Sequence, residues 1–547
     1  MASATVEMAG GEMLSLVRHS LELGELTLAG RSEKHRKQGG QFLTPAPVAH
    51  FMARQLGPIQ AASRVLDPAI GSGVLACAVI ERAIAEGQPQ ELFIEGHEID
   101  PELCQSAREA LAWATQRAAE AGLVVHTRIH ERDFVLNHVP TTQLNLFSQN
   151  LVSSDLSLYD YIIANPPYFK LNKKDPRVKA VLGQIKGHTN IYTLFMALAG
   201  RLLKPQGRAC FIVPRSFCSG AYFAGFRQDF IKQVVPLAVH LFESRQDTFK
   251  RDAVLQENVI IAFHRRRPEQ VQQPSSLVIS TSKGPFELDA GPVARRVSMK
   301  HFVGRRNGSL FFRLPTGELD EQIVETIGRW GGSLADYGLS VSTGPVVAFR
   351  ARSFLTTAEA VRQGQAAPLL WMQNVLPQRV EWPVTRGKKP QGVSLQEGSV
   401  PLLVSKANYV LLRRFSAKEE PRRLIAAPLL ADEFIGAWVG LENHLNYIYR
   451  KQGVLETEEA YGLSGLLNSA LVDRYVRIAN GNTQVNAAEL RALPLPPLEI
   501  IKQIGRQLLI AQEANASADV DSMVFSTLRA SGCLPPDFPT IKETRKC

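Results

Sequence analysis

Asn165-Pro166-Pro167-Tyr168 stands directly after the apolar run YDYIIA. Two successive prolines fix two φ angles and remove two amide donors, so backbone carbonyls can face a ligand without competing N–H groups. The Asn165 side-chain oxygen and the Pro166 carbonyl then form two acceptors aimed at one amino group, and Tyr168 offers a flat face for a heterocycle. An aromatic exocyclic amine is a poor nucleophile, because its lone pair is delocalised into the ring. Two acceptors on its N–H bonds draw the nitrogen towards tetrahedral geometry and stabilise the positive charge that develops as it attacks a methyl group. Holding the reactants in line supplies the rest. No strong base is required, since the protonated product sheds its proton readily. On these residues alone an ordinary rigid loop at a strand end remains the competing reading.

A second set of residues lies upstream. Asp67-Pro68-Ala69-Ile70-Gly71-Ser72-Gly73 joins the run RVL to a helical stretch, and Gly71 and Gly73 let the backbone approach a ligand closely. Glu98, at the end of FIEGHE, can accept hydrogen bonds from a ribose diol, and Asp133, in RDF, from an adenine amino group. Each alone reads equally as a solvated carboxylate; at the ends of successive parallel strands they reinforce one another. In QFLTP, Thr44 is a candidate N-cap with Pro45 at the first helical position, or else faces a ligand. Val48, Phe51, Met52 and Leu56 make that helix's core face. The six cysteines (Cys77, Cys104, Cys210, Cys218, Cys533, Cys547) show no CxxC pair or Cys/His spacing, so reduced thiols and no metal site are expected.

The elements that must position these residues follow from strand–helix alternation. Short β-rich runs at 64–67, 92–98, 124–129, 159–164, 209–213, 238–242 and 258–263 alternate with helical stretches at 73–86, 101–121 and 191–203. This rhythm predicts an α/β, doubly wound, Rossmann-like sheet over residues 38–267. A helical segment over 1–37 precedes it. The polar run HRRRPEQVQQPSS opens a linker or surface segment over 268–329, and irregular strands with basic clusters suggest a second, mixed α+β domain over 330–500. A helix and loose tail close the chain over 501–547. Two or three domains suit 547 residues, and a net charge of +10 favours a polyanionic partner. No apolar run reaches membrane-spanning length and no signal peptide is evident, so a cytoplasmic protein is expected.

The order of motifs resembles the gamma class of DNA amino-methyltransferases, the TaqI-type adenine-N6 enzymes. QFLTPAPVAHFM, RVLDPAIGSG, FIEGHEIDP, RDF, YDYIIANPPYF and NIYTLFMALAGRLLKPQGRACFIVPRSF are similar to that family's successive motifs over roughly residues 38–265. The resemblance implies an S-adenosylmethionine-dependent domain, with Thr44, Asp67, Pro68, Ala69, Gly71, Gly73, Glu98, Asp133 and Asn165 at the cofactor. It implies catalytic roles for Asn165, Pro166 and Tyr168, and an aromatic on the far face of a flipped base, for which Phe249 is the candidate. LSVSTGPVVAFRARSF, PLLWMQNVLP and GNTQVNAAELRALPLPPL look like the family's target-recognition domain. There Asn482 and Gln484 either contact DNA or hold a turn, and the clusters Arg386–Lys389, Arg413–Arg414 and Arg422–Arg423 are candidate phosphate contacts. Double-stranded DNA is the implied partner, the chain acting as a monomer whose product blocks a separate restriction endonuclease. N4-cytosine methylation, or methylation of a ribosomal RNA guanine or a protein glutamine, is the alternative. A nuclease would need a carboxylate cluster outside this core, and the only such run, PPDFPTIKETRK, lies at the C-terminus.

Overall fold

Strands whose apolar residues point both ways need helices on both faces of their sheet. The computed structural model describes residues 15–87, 90–138, 158–172, 174–180, 190–243, 257–267, 274–306, 308–384, 389–416, 420–434, 436–479, 484–514 and 519–541. They fall into two units, Met1–Thr316 and Gly317–Cys547.

The first unit opens with α1 (Leu16–Ala29), α2 (Glu33–Gly39) and α3 (Ala46–Gln55). There follow β1 (Ser63–Asp67), α4 (Val74–Glu86), β2 (Glu91–Glu98), α5 (Pro101–Glu120), β3 (Val124–Glu131) and α6 (Phe134–His138). Next come β4 (Tyr159–Ala164), α7 (Pro176–Ala180), α8 (Ile191–Leu202), β5 (Leu203–Pro214), α9 (Ala224–Gln233), β6 (Val234–Phe242) and β7 (Asn258–Arg265). Strands β8 (Ser276–Ser282) and β9 (Val293–Ser298) and the hairpin β10 (Val303–Arg306) and β11 (Ser309–Phe312) complete it. One nine-stranded sheet runs β3-β2-β1-β4-β5-β7-β6-β8-β9. Strands β1 to β5 pair in parallel, and β7 lies antiparallel between β5 and β6.

Side chains alternate as a period of two demands. Ile162, Ala164, Phe211 and Val213 join one core with α8 and α9; Tyr161, Ile163, Cys210 and Ile212 join the other with α3, α4 and α5. The expected α/β doubly wound sheet is therefore present, covered on both faces. One expectation is corrected. The supposed linker over 268–329 contains β8 and β9, which extend the sheet, and a hairpin whose Leu310 and Phe312 enter its core. The N-terminal helix α1 buries Leu16 and Val17 in the core beside α4 and α5.

The second unit holds an antiparallel four-stranded sheet, ordered Leu339–Thr343, Leu445–Arg450, Tyr409–Arg413, Ala426–Leu429. A mixed five-stranded sheet runs Leu355–Thr356, Gly392–Ser394, Ala366–Leu370, Trp438–Leu441, Leu403–Ser405. Helices Thr457–Asn468, Leu498–Glu513 and Val520–Ala530 pack against the four-stranded sheet's core. The stretch expected as a loose tail thus carries a helix whose Val524, Phe525 and Leu528 are buried. Among the described residues no helix is long and apolar enough to cross a membrane.

Candidate active site

Strand order reverses at β1: β2 and β3 lie to one side and β4 to the other. A crevice opens at the carboxyl ends of the strands at such a point. Here a cleft of about 260 Å³ is walled by Pro68, Ala69 and Gly71 after β1, Glu98 ending β2, Asp133 after β3, and Asn165 after β4. Gly71 and Gly73 hold φ of 55° and 95°, a left-handed turn that carries the chain from β1 into α4. Gly40 closes the cleft over the proline loop: a Cβ there would sit 2.4 Å from Pro167 Cβ, so only glycine permits this approach.

The Asn165 amide is fixed from both ends. Its Nδ2 donates to the Phe42 carbonyl and to Thr44 Oγ1, each at 3.1 Å. Its Oδ1 accepts from the Tyr168 hydroxyl at 2.6 Å. That hydroxyl also lies 2.9 Å from the Ile212 carbonyl, and burial pushes its pKa well above the ordinary phenol value. Tyr168 remains a neutral donor and is no base. Its ring meets Tyr192 edge-on, centroids 6.3 Å apart. Pro166 is buried.

The carboxylates differ in their partners. Asp67 is fully buried; Oδ1 accepts from the Ala69 N–H at 3.2 Å, while Oδ2 has no partner. Burial pushes its pKa up to about 8. Glu98 accepts backbone N–H groups from Ile99 and Asp100 on Oε1 and from Gly71 on Oε2, leaving Oε2 a second lone pair. Burial still outweighs these bonds and raises its pKa. Asp133 Oδ1 accepts from Leu136 N–H at 2.9 Å, opening α6, and Oδ2 lies 3.5 Å from Arg177 Nη1.

The expected residues Pro68, Ala69, Gly71, Glu98, Asp133 and Asn165 share the cleft wall. Asp67, Thr44, Pro166, Tyr168 and Gly73 are not among its lining residues. Thr44 does not cap α3: the residue at that position is Pro45, and the Thr44 hydroxyl is occupied by Asn165. Phe249 and Asn482 lie outside the described residues. Gln484 forms an isolated backbone strand bridge with Phe415. Of the five free cysteines among the described residues, Cys77, Cys104, Cys210 and Cys218 are buried, as their apolar runs imply, and Cys533 is half-buried.

Two of the basic clusters make contacts within the chain. Arg423 is only 2% exposed, and Arg422 pairs with Asp521. Arg413 Nε donates to the Val375 carbonyl and Arg414 Nη1 to that of Asn443. Carbonyls at strand ends need donors, and arginine supplies them in a fixed fork. Of Arg386–Lys389 only Lys389 is described, its Nζ 4.6 Å from the centre of the Trp371 ring.

Several wall residues carried no motif signal. Asp100 caps α5 through the Glu102 and Leu103 N–H groups and pairs with Arg31 and Gln41, which holds it below the ordinary carboxylate range. This ties the end of the N-terminal helical segment to the cleft, and Leu28 joins its wall. The N-cap signature Asp100-Pro101-Glu102 is visible in the sequence; its long-range partner Arg31 is not. Ile99 stands 60% exposed beside Glu98, an apolar side chain left open on the cleft.

Residues 94–249 match the family model described as Eco57I restriction-modification methylase. The chain is 33% identical over 477 residues to the Type II methyltransferase M.PstI of Providencia stuartii, covering 87% of this chain and 90% of that one. It is 32% identical over 501 residues to the Type II methyltransferase M.BsuBI of Bacillus subtilis, covering 90% and 95%. Among solved structures, the DrdV–DNA complex is similar over 91% of this chain and 60% of that one, with 13% identity and a TM-score of 0.46.

Proposed function

The chain belongs to the Type II DNA methyltransferases of restriction-modification systems, and from that premise we propose that it methylates N6 of an adenine flipped out of double-stranded DNA, using S-adenosylmethionine. The cleft suits this cofactor on its own chemistry. Open Ile99 beside the Glu98 carboxylate fits a nucleoside, whose ring covers the one while its diol bonds the other. Asp133 at the end of the next strand suits an adenine amino group, and Asp67 keeps one oxygen, Oδ2, unbonded near the glycine turn. When bound, S-adenosylmethionine supplies a methyl group activated by its sulfonium.

The observation that carries the reading is the fixed Asn165 amide. With Nδ2 held by two acceptors on the 42–44 segment, the carboxamide cannot turn over, and Oδ1 stays an acceptor facing the site. Its second lone pair and the Pro166 carbonyl bind the two N–H bonds of the adenine amine. The Tyr168 proton has a second resting place on Ile212, so it can leave Oδ1 when the amine arrives. These acceptors strengthen as positive charge grows on nitrogen, which is stabilisation confined to the transition state. The Tyr168 ring stacks on one face of the base, and Phe249 serves the other. Flipping costs a few kcal/mol, which stacking and phosphate contacts offset. The enzyme works as a single chain, and its mark shields the site from a separate endonuclease.

Duplex DNA methylated by the purified chain and digested to nucleosides will contain N6-methyladenine. Asn165→Ala will lower methyl incorporation about 100-fold or more while S-adenosylmethionine affinity stays within a few-fold. N4-methylcytosine as the only product would overturn the choice of base. An unchanged rate in the variant would overturn the role of Asn165.

A further inference from the structure

His97 is 1% exposed, and neither ring nitrogen has a hydrogen-bond partner. A neutral imidazole carries one N–H donor and one lone pair, and buried polar groups are ordinarily bonded. Parallel pairing of β2 with β3 sets His97 opposite His130, and Glu95 precedes His97 by two residues on the same face of β2. The two rings stack at 4.8 Å between centroids, and Glu95 Oε1 lies 2.8 Å from His130 Nε2. One ligand atom from each of the three residues lies within 4.8 Å of the others.

We propose that Glu95, His97 and His130 bind a divalent transition ion, zinc by preference, as a clip between β2 and β3 at the side of the cofactor cleft, whose wall His97 joins. Two imidazole nitrogens and a carboxylate oxygen without thiolate suit zinc with three protein ligands and an open fourth position. Ligand atoms around tetrahedral zinc stand about 3.3 Å apart, so the widest gap closes by up to about 1.5 Å, the Glu95–His130 contact opens slightly, and the stacked rings turn to aim their lone pairs. The His97 ring is neutral, since burial and then the neighbouring His138 and His130 push its pKa down to about 3. Arg64 lies 3.5 Å from Glu95 Oε2, leaving Oε1 on the histidine side. His138, its ring 5.0 Å from His97 and its Nδ1 engaged by the Phe134 carbonyl, borders the fourth position, which water can fill.

The site has structural sense. Strand β3 is the sheet's edge, and the segment after it carries Asp133 and α6. A metal tying β3 to β2 would steady that segment where hydrogen bonds reach it from one side only.

The full-length chain, purified without a histidine tag and stripped with a chelator, tests this directly. After incubation with zinc and gel filtration it should retain one zinc per chain by elemental analysis. Cobalt in place of zinc should give the strong visible absorption of a four-coordinate ion. H97Q and H130Q should each weaken zinc binding more than about tenfold, with unchanged circular dichroism in the absence of metal. Added zinc should raise the thermal midpoint of the wild type and of neither variant. Substoichiometric zinc on the wild type, an octahedral cobalt spectrum, or undiminished zinc on both variants would overturn the proposal. If the variants fail to fold, the wild-type stoichiometry and cobalt spectrum decide.

Discussion

Asp67 and Glu98 end adjacent strands, yet they meet different environments. Glu98 collects three backbone N–H groups, while Asp67 receives one and is fully buried. Burial moves the Asp67 pKa from 3.8 up to about 8, so between those values the folded chain holds a proton that the unfolded chain has released. Stability therefore falls as pH rises through that window. Asp67→Asn keeps the oxygen that accepts from Ala69 and removes the titration. Relative to wild type, the cofactor-free variant should gain stability as pH rises from about 5 to about 9, by on the order of 1 kcal/mol or more. Paired thermal melts across that range measure it, and a pH-independent difference would refute it. Asn165, Glu98 and Asp133 were legible in the sequence because each follows a strand signal. His97 and His130 were not, because only the register of β2 against β3 brings together residues 33 apart in the chain. Nor was the Arg31–Asp100 pair, which joins α1 to α5 with no local pattern to announce it.

At the scale of elements, periodicity located β1 to β7 and the main helices because their apolar residues alternate at strand or helix spacing. It missed β8 and β9, which follow the arginine- and proline-bearing run 265–274 and lie at the sheet's edge, where polar residues are tolerated. Helix crossings were also beyond reach. Helices Thr457–Asn468 and Leu498–Glu513 approach so closely that a Cβ on Gly462 would stand 1.9 Å from the Ile501 carbonyl oxygen. A Cβ on Gly505 would stand equally close to that of Glu458, at 1.9 Å. Both obstacles are backbone, so no rotamer change relieves them. Although alanine favours a helix over glycine by up to about 1 kcal/mol, Gly505→Ala should cost about 1–3 kcal/mol net by forcing the helices apart. A lowered denaturant midpoint for the second unit is the expected outcome; a neutral or stabilised variant would show that the helices can slide.

For the whole molecule, the net charge of +10 is what a sequence displays to a polyanion, but charge in a sequence does not say which arginines face outward. Arg422 lies in a basic run, yet its guanidinium meets Asp521, whose other oxygen accepts from the Ala470 N–H at 2.6 Å. The arginine therefore joins the 420s loop to the last helix of the second unit. A lysine or arginine on phosphate releases counterions, and each such contact adds about −0.9 to the slope of log affinity against log salt. Arg422→Ala should leave that slope for duplex DNA unchanged while lowering stability by roughly 1 kcal/mol, the ordinary scale for a half-buried, hydrogen-bonded ion pair. Titrations of duplex at several salt concentrations, alongside melts of the same variant, separate the two roles. A slope shallower by about one, with stability intact, would place Arg422 on the DNA backbone and return this cluster to the role its sequence first suggested.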